Sequence, residues 1–139
     1  MVRKVLSKYG ETPPTDDMQS RKILTNGPIN PVEEVLSLLQ KTLPTTMTRK
    51  SISDLQRLGF DAEDLRELIH LAVTTGFYRD SEWCNSKLDG PWFACDSYEV
   101  KRKEYVETAN KEFEIQYFIK FCINKAGNLI CTFSCHLSN

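Results

Sequence analysis

Between Ala62 and Val73 the apolar residues fall at helical spacing. Ala62, Leu65, Leu68, Ile69, Ala72 and Val73 make one stripe, which predicts an amphipathic helix. Asp61 stands at its N-cap. Asp64 follows three residues on, where a carboxylate can reach back to the free amides. Gly76 offers a left-handed stop. Two shorter helices are predicted ahead of it. Asn30 as N-cap, Pro31 at the first helical position and Glu33 at the capping-box place open a helix over 31–42, with Val32, Val35, Leu36 and Leu39 on one side. Pro44 ends it, and Thr45 to Thr48 read as a linker. Ile52, Leu55 and Leu58 face inward in a second helix over 49–58, stopped by Gly59.

After Gly76 the period changes from helical to two. Phe77 to Trp83 predicts a strand, 85–91 a turn-rich loop, and Trp92 to Val100 a second strand. Residues 101–110 are charged and read as helix or loop. Phe113, Ile115, Tyr117, Ile119, Phe121 and Ile123 then alternate with Glu114, Gln116, Phe118, Lys120 and Cys122. A turn at 124–127 leads to Leu129, Cys131, Phe133, Cys135 and Leu137, again alternating. This predicts an antiparallel hairpin with its odd-numbered residues against the helices. Gln116, Phe118, Lys120, Thr132, Ser134 and His136 are expected to share the other face. That face has the groups for chemistry on a polyanion, and it equally describes the solvated side of a half-buried sheet. The fold class is therefore α+β, with N-terminal helices packed on a curled antiparallel β-sheet. Residues 1–28 are polar, hold Pro13, Pro14, Gly27 and Pro28, and show no sustained period. They are expected to form a flexible or loosely docked tail, leaving 29–139 as a single domain.

Charge narrows the function classes. Eighteen basic and 19 acidic residues give a net charge of −1, which speaks against a surface coated for nucleic acid and leaves room for a local basic site. No apolar run approaches the roughly 20 residues of a membrane helix, and the N-terminus has no signal-peptide core. The expectation is a cytoplasmic protein with no membrane partner. The five cysteines form no CxxC pair, and the Cys131, Cys135, His136 spacing does not fit a zinc knuckle or ribbon. Reduced cysteines acting as small apolar residues are expected, with no metal and no cofactor.

Four stretches carry a family resemblance: TRKSISDLQRLGF, DAEDLRELI, GFYR, and the tryptophan-bearing PWFACDSYEV followed by EIQYFIKFCINKAGNLICTFS. Their order and spacing over about residues 32–137 resemble the MqsR family of mRNA-interferase toxins, which has a RelE-like fold. The resemblance implies a toxin endoribonuclease that cleaves mRNA by metal-free 2′-OH attack and is neutralised by a cognate antitoxin protein.

Carried over by position, the family's catalytic lysine after Phe-Tyr falls at Arg79, which keeps the charge and can hold a phosphate bidentately. The family's glutamine after a tryptophan falls at Phe93 or, with an insertion, Cys95. Its tyrosine two residues before a strand lysine falls at Phe118, with Lys120 as that lysine, and a further lysine falls at Ser134. The scaffold is retained and the catalytic set largely replaced. Cleavage needs a base, an acid and cations for the developing phosphorane charge. Arg79, Lys120 and His136 are the catalytic candidates, histidine being the side chain type that titrates near neutral pH. Tyr98, Lys101, Arg102 and Lys103 are the candidates for gripping RNA by stacking and phosphate contacts. The replaced residues also fit a second reading, a catalytically degenerate binding module on the same scaffold, acting through protein or RNA contact as a decoy or inhibitor.

Overall fold

A computed structural model describes residues 4–138. Three helices, α1 (Val32–Lys41), α2 (Arg49–Leu58) and α3 (Ala62–Thr75), precede most of a mixed α+β fold. The strands are β1 (Lys22–Ile23), β2 (Thr45–Thr46), β3 (Phe77–Cys84), β4 (Phe93–Val106), β5 (Lys111–Ile123) and β6 (Ile130–Leu137). They form one six-stranded sheet in the order β1-β3-β4-β5-β6-β2. Every pairing is antiparallel except that of β2 with β6. No helix among the described residues is long and apolar enough to cross a membrane.

The α3 stripe meets the sheet as its spacing requires. Leu65, Leu68, Ile69 and Ala72 are buried, and with Val35, Leu38 and Leu39 of α1 they pack on Tyr98, Val100, Tyr117, Ile119 and Phe121. Each large aliphatic side chain buried here contributes about 1.5–3 kcal/mol. Asp61 and Asp64 close the expected capping box. Gly76 departs from expectation. Its φ is −86°, not left-handed, and its reason is space: a Cβ there would lie 2.6 Å from the carbonyl oxygens of Ala72 and Glu99. Bare backbone lets the end of α3 press against β4.

The other helix starts also differ from the pattern. Asn30 does not cap α1; Pro31 stands at the cap position without a side-chain bond. The Asn30 amide instead joins two strands. Its Nδ2 donates to Ala94 O at 3.2 Å and to Asp96 at 3.1 Å, and its Oδ1 accepts from Ile123 N–H at 2.9 Å. In α2, Thr48 and Ser51 form a capping box, and Gly59 ends the helix with φ 71°. The buried face of α2 is Ser51 and Asp54, with Leu55 and Leu58 half-buried beside the core, while Ile52, expected inward, is 46% exposed. Asp54 is inside because it accepts the Cys135 N–H at 3.1 Å, satisfying a donor on β6. The linker at Thr45–Thr46 adds a short parallel strand on the same edge.

Two strands depart from the alternation read from sequence. Residues 101–106, expected as helix or loop, continue β4, and β5 begins at Lys111 after a single 3₁₀ turn. The two pair without interruption from Asp96↔Phe121 to Val106↔Lys111. In β6 a bulge breaks the period. Lys120 pairs with Ser134 but Phe121 pairs with Thr132, leaving Phe133 as the extra residue. Ile130 and Cys135 therefore join the helix-side core, whereas Cys131 and Phe133, expected there, lie with Cys84, Phe93, Cys95 and Cys122 in a second cluster. Thr132, expected on the outer face, is opposite the core residue Phe121 and is fully buried.

Residues 4–28, expected as a flexible or loosely docked tail, run along the sheet margin with specific bonds. Leu6 N–H donates to Trp92 O and Trp92 N–H to Lys4 O, both at 2.8 Å. Lys8 N–H donates to Ile123 O at 2.9 Å, and the Trp92 indole donates to Pro14 O at 3.0 Å. Tyr9 OH reaches the Glu34 carboxylate of α1 at 2.6 Å.

Candidate functional site

The face of the sheet away from α1 and α3 carries the polar chemistry. Register places Phe77, Glu99, Phe118 and His136 in one row across β3, β4, β5 and β6. The next row holds Asp80, Ser97, Lys120 and Ser134. Arg79 is the extra residue of a bulge between Tyr78 and Asp80, and the local twist re-aims its side chain. Its guanidinium forms an ion pair with Glu99.

Glu99 is the hub of this arrangement. Besides Arg79, it accepts a hydrogen bond from Gln116 Nε2 at 2.8 Å and one from Ser138 Oγ at 3.1 Å. Three donors from β3, β5 and the segment after β6 thus orient one carboxylate. Beside it, the rings of Phe118 and His136 stack with centroids 5.1 Å apart and 22° between planes. His136 Nδ1 lies 2.9 Å from Leu137 O. A carbonyl only accepts, so Nδ1 carries the proton and Nε2 is left for other work.

Lys120 lies on the other side of Phe118, its Nζ 5.9 Å from the ring centroid and paired with Glu82. Burial lowers the pKa of this ammonium, but the neighbouring Cys84 and Glu82 raise it by more, and it ends above the ordinary lysine value. Lys120 is a cation at neutral pH, suited to charge stabilisation and not to proton abstraction. Arg79, Lys120 and His136 accordingly sit on one face, joined through Glu99 and Phe118.

The four residues expected to grip RNA are divided between the two faces. Tyr98 is 3% exposed in the helix-side core, stacked 5.7 Å from Phe121 with nearly parallel planes. Arg102 also turns to that side; it lies over the rings of Phe60 and Tyr117 at 5.0 and 5.5 Å and pairs with Glu104. The physical reason is the extension of β4: alternate residues of a strand cannot act on one ligand face. Lys101 and Lys103 are exposed on the polar side, with Lys101 3.8 Å from Glu114.

Sequence reasoning missed Glu99, Glu82 and Ser138. Glu99 stands on the strand over 92–100, but its place beside Phe118 follows from the β4–β5 register and not from alternation within one strand. The pairing of Lys120 with Glu82 needed the register of three strands.

The thiols are free and buried. The bulge puts Cys131 and Cys135 in different clusters on opposite faces, so that pair cannot converge with His136 on one metal. Among the described residues no group of three or more ligating side chains is placed to hold a metal ion. The chain matches no protein-family model, no curated protein and no solved structure.

Proposed function

We propose that this protein is an endoribonuclease that cleaves single-stranded RNA through side chains alone. The observation that carries the reading is the row Glu99–Phe118–His136 with Arg79 bound to Glu99. It joins a carboxylate, an imidazole and a guanidinium around an aromatic ring, the groups that transesterification of RNA requires. Glu99 takes the proton of the 2′-OH as that oxygen attacks the adjacent phosphorus. Arg79 and Lys120 stabilise the charge on the phosphorane. His136, as an imidazolium whose Nδ1–H stays on Leu137 O, gives its Nε2 proton to the 5′-oxygen as the P–O5′ bond breaks, leaving a 2′,3′-cyclic phosphate and a free 5′-OH.

The finer reading is a RelE/MqsR-like toxin that cuts mRNA in the cytoplasm and is held in check by a cognate antitoxin. The four MqsR-like stretches support it. One observation favours the alternative, a degenerate binding module: both cations are already paired, Arg79 with Glu99 and Lys120 with Glu82. An RNA phosphate must displace or share those carboxylates.

The deciding experiment is incubation of purified protein with a labelled single-stranded RNA in chelator, with cyclic-phosphate ends scored. The expected result is cleavage that falls on the order of 10²-fold or more in Glu99→Gln, His136→Ala and Arg79→Ala. RNA that is bound and left intact supports the binding module, and wild-type rates in all three variants reject the site.

A further inference from the structure

A second feature lies on the same face, beyond Lys120. A cleft of about 420 Å³ opens between the start of α2, the end of β3 and the middle of β5 and β6. Arg21, Arg49, Lys50 and Lys120 line it, and Glu82 is its one acidic lining residue. The cations come from three separate parts of the chain, so sequence adjacency alone does not explain their convergence.

Two of the four are held in place from behind, and a third by the carboxylate that lines the cleft. Lys50 pairs at 3.0 Å with Asp54, a carboxylate only 8% exposed and fixed by the Cys135 N–H, and also reaches Ser134 Oγ at 3.4 Å. Arg21 lies over the Trp92 ring at 5.0 Å and contacts Asn85 at 3.4 Å and Asp17 at 3.8 Å. Lys120 is anchored by Glu82 and is 16% exposed. Neither Asp17 nor Asp54 lines the cleft. Arg49 makes no ion pair with a described residue and stands at the first position of α2, where the positive end of the helix dipole adds to its charge. Preorganised cations around a hydroxyl-bearing, solvent-open space are the means by which a protein holds a phosphate.

We propose that this cleft is a phosphate-binding site. Resting on the ribonuclease reading, its occupant is a backbone phosphate of the RNA strand flanking the bond that is cut. Lys120 then touches both positions, which sets the path of the strand from the Glu99–His136 row towards the N-terminus of α2.

Two probes test this: inorganic pyrophosphate by calorimetry, and a 2′-O-methyl oligoribonucleotide, which cannot be cleaved, by fluorescence anisotropy. The variants are Arg49→Glu and Arg49→Gln, both at an exposed first-turn position where a fold defect is not expected. Pyrophosphate should bind the wild type and lose about tenfold or more in Arg49→Glu. The oligonucleotide should lose affinity similarly, with a salt dependence shallower by about one counterion in Arg49→Gln. Equal affinities in wild type and variants, or no pyrophosphate binding at all, overturn the cleft, and cleavage that persists unchanged in Arg49→Glu shows that the nuclease reading survives that loss. Arg49-dependent pyrophosphate binding with RNA neither bound nor cut keeps the phosphate site and overturns the RNA reading.

Discussion

The two faces of this sheet handle polar atoms in opposite ways. Towards α1 and α3, packing dominates, and some polar groups are tied by buried hydrogen bonds, as where Asp96 accepts from the Ile29 and Asn30 N–H groups at 3.0 and 2.8 Å. On the other face, cations and carboxylates neutralise one another laterally across strands: Arg79 with Glu99, Lys120 with Glu82, Lys101 with Glu114. The first arrangement makes each side chain answerable to the fold, because a void or an orphaned donor has no water to replace what is lost. The second leaves groups near solvent, where loss of one partner is screened. Stability should therefore be concentrated on the helix face and chemistry on the other.

The largest effect should come from the helix face. Phe121 is fully buried and stacks on Tyr98, so Phe121→Ala should cost about 3–5 kcal/mol in urea unfolding. A loss under about 1 kcal/mol would mean that this face is not the core. Next is the polar face: Glu99→Gln or His136→Ala should slow RNA cleavage on the order of 10²-fold, close to 2.7 kcal/mol of barrier, with the unfolding midpoint nearly unchanged. Unfolding of both variants with no selective loss of cleavage would erase the contrast between faces.

Asn30→Ala sharpens the comparison, because it removes polar contacts from the apolar side. It orphans the buried Ile123 N–H and takes a donor from Asp96, at a cost of about 2 kcal/mol. Its pH dependence has a definite sign. Burial pushes the Asp96 carboxyl above its ordinary value, against hydrogen bonds from Ser81 and Asn30 that lower it. An acid whose pKa is higher folded than unfolded holds more protons in the native state over that window, so its contribution to stability falls as pH rises through the raised pKa. Losing the Asn30 donor raises it further. The penalty of Asn30→Ala should thus grow as pH rises past the raised Asp96 pKa of the wild type, and a penalty that shrinks with rising pH would reverse the assignment.

The boundary between legible and illegible features in the sequence follows interaction range. Local rules sufficed for α3, whose stripe and Asp61–Asp64 capping box depend on residues within one or two turns. They sufficed for Tyr117, Ile119 and Phe121, because alternation holds within an unbroken strand. They failed where a partner distant in sequence intervened. Asn30 has the composition of a helix cap, yet Asp96 and Ile123 claim its amide. Ile52 looks like a core residue of α2, yet the need of the Cys135 N–H turns Asp54 inward. The bulge at Phe133 exchanged the sides of Cys131 and Thr132, and nothing in the alternating pattern marks it. The site was divided in the same way. The face carrying Lys120 and His136 followed from strand period, whereas Glu99 as the partner of Arg79 and Glu82 as the partner of Lys120 required cross-strand register.

The smallest effect tests a single atom on that boundary. Tyr98 has the ring and hydroxyl of an RNA-stacking residue, but it is 3% exposed, and its Oη has no hydrogen-bond partner among the described residues. Burial pushes its pKa upward, so the hydroxyl stays neutral and desolvated. Its ring, by contrast, is well used, against Phe121 on one side and edge-on to Tyr78 at 5.8 Å. Tyr98→Phe keeps those ring contacts and removes an unpaired polar atom. The unpaired hydroxyl costs more than the small void it leaves, so the variant should be more stable by about 0.5–1 kcal/mol in urea unfolding. Its affinity for the 2′-O-methyl oligonucleotide should stay within about twofold of wild type, since the ring faces the helices and offers no stacking surface. A stabilised variant with unchanged RNA binding assigns Tyr98 to the core. A variant that keeps its stability and loses RNA affinity would place Tyr98 on the ligand side and break the division between the two faces at its most direct point.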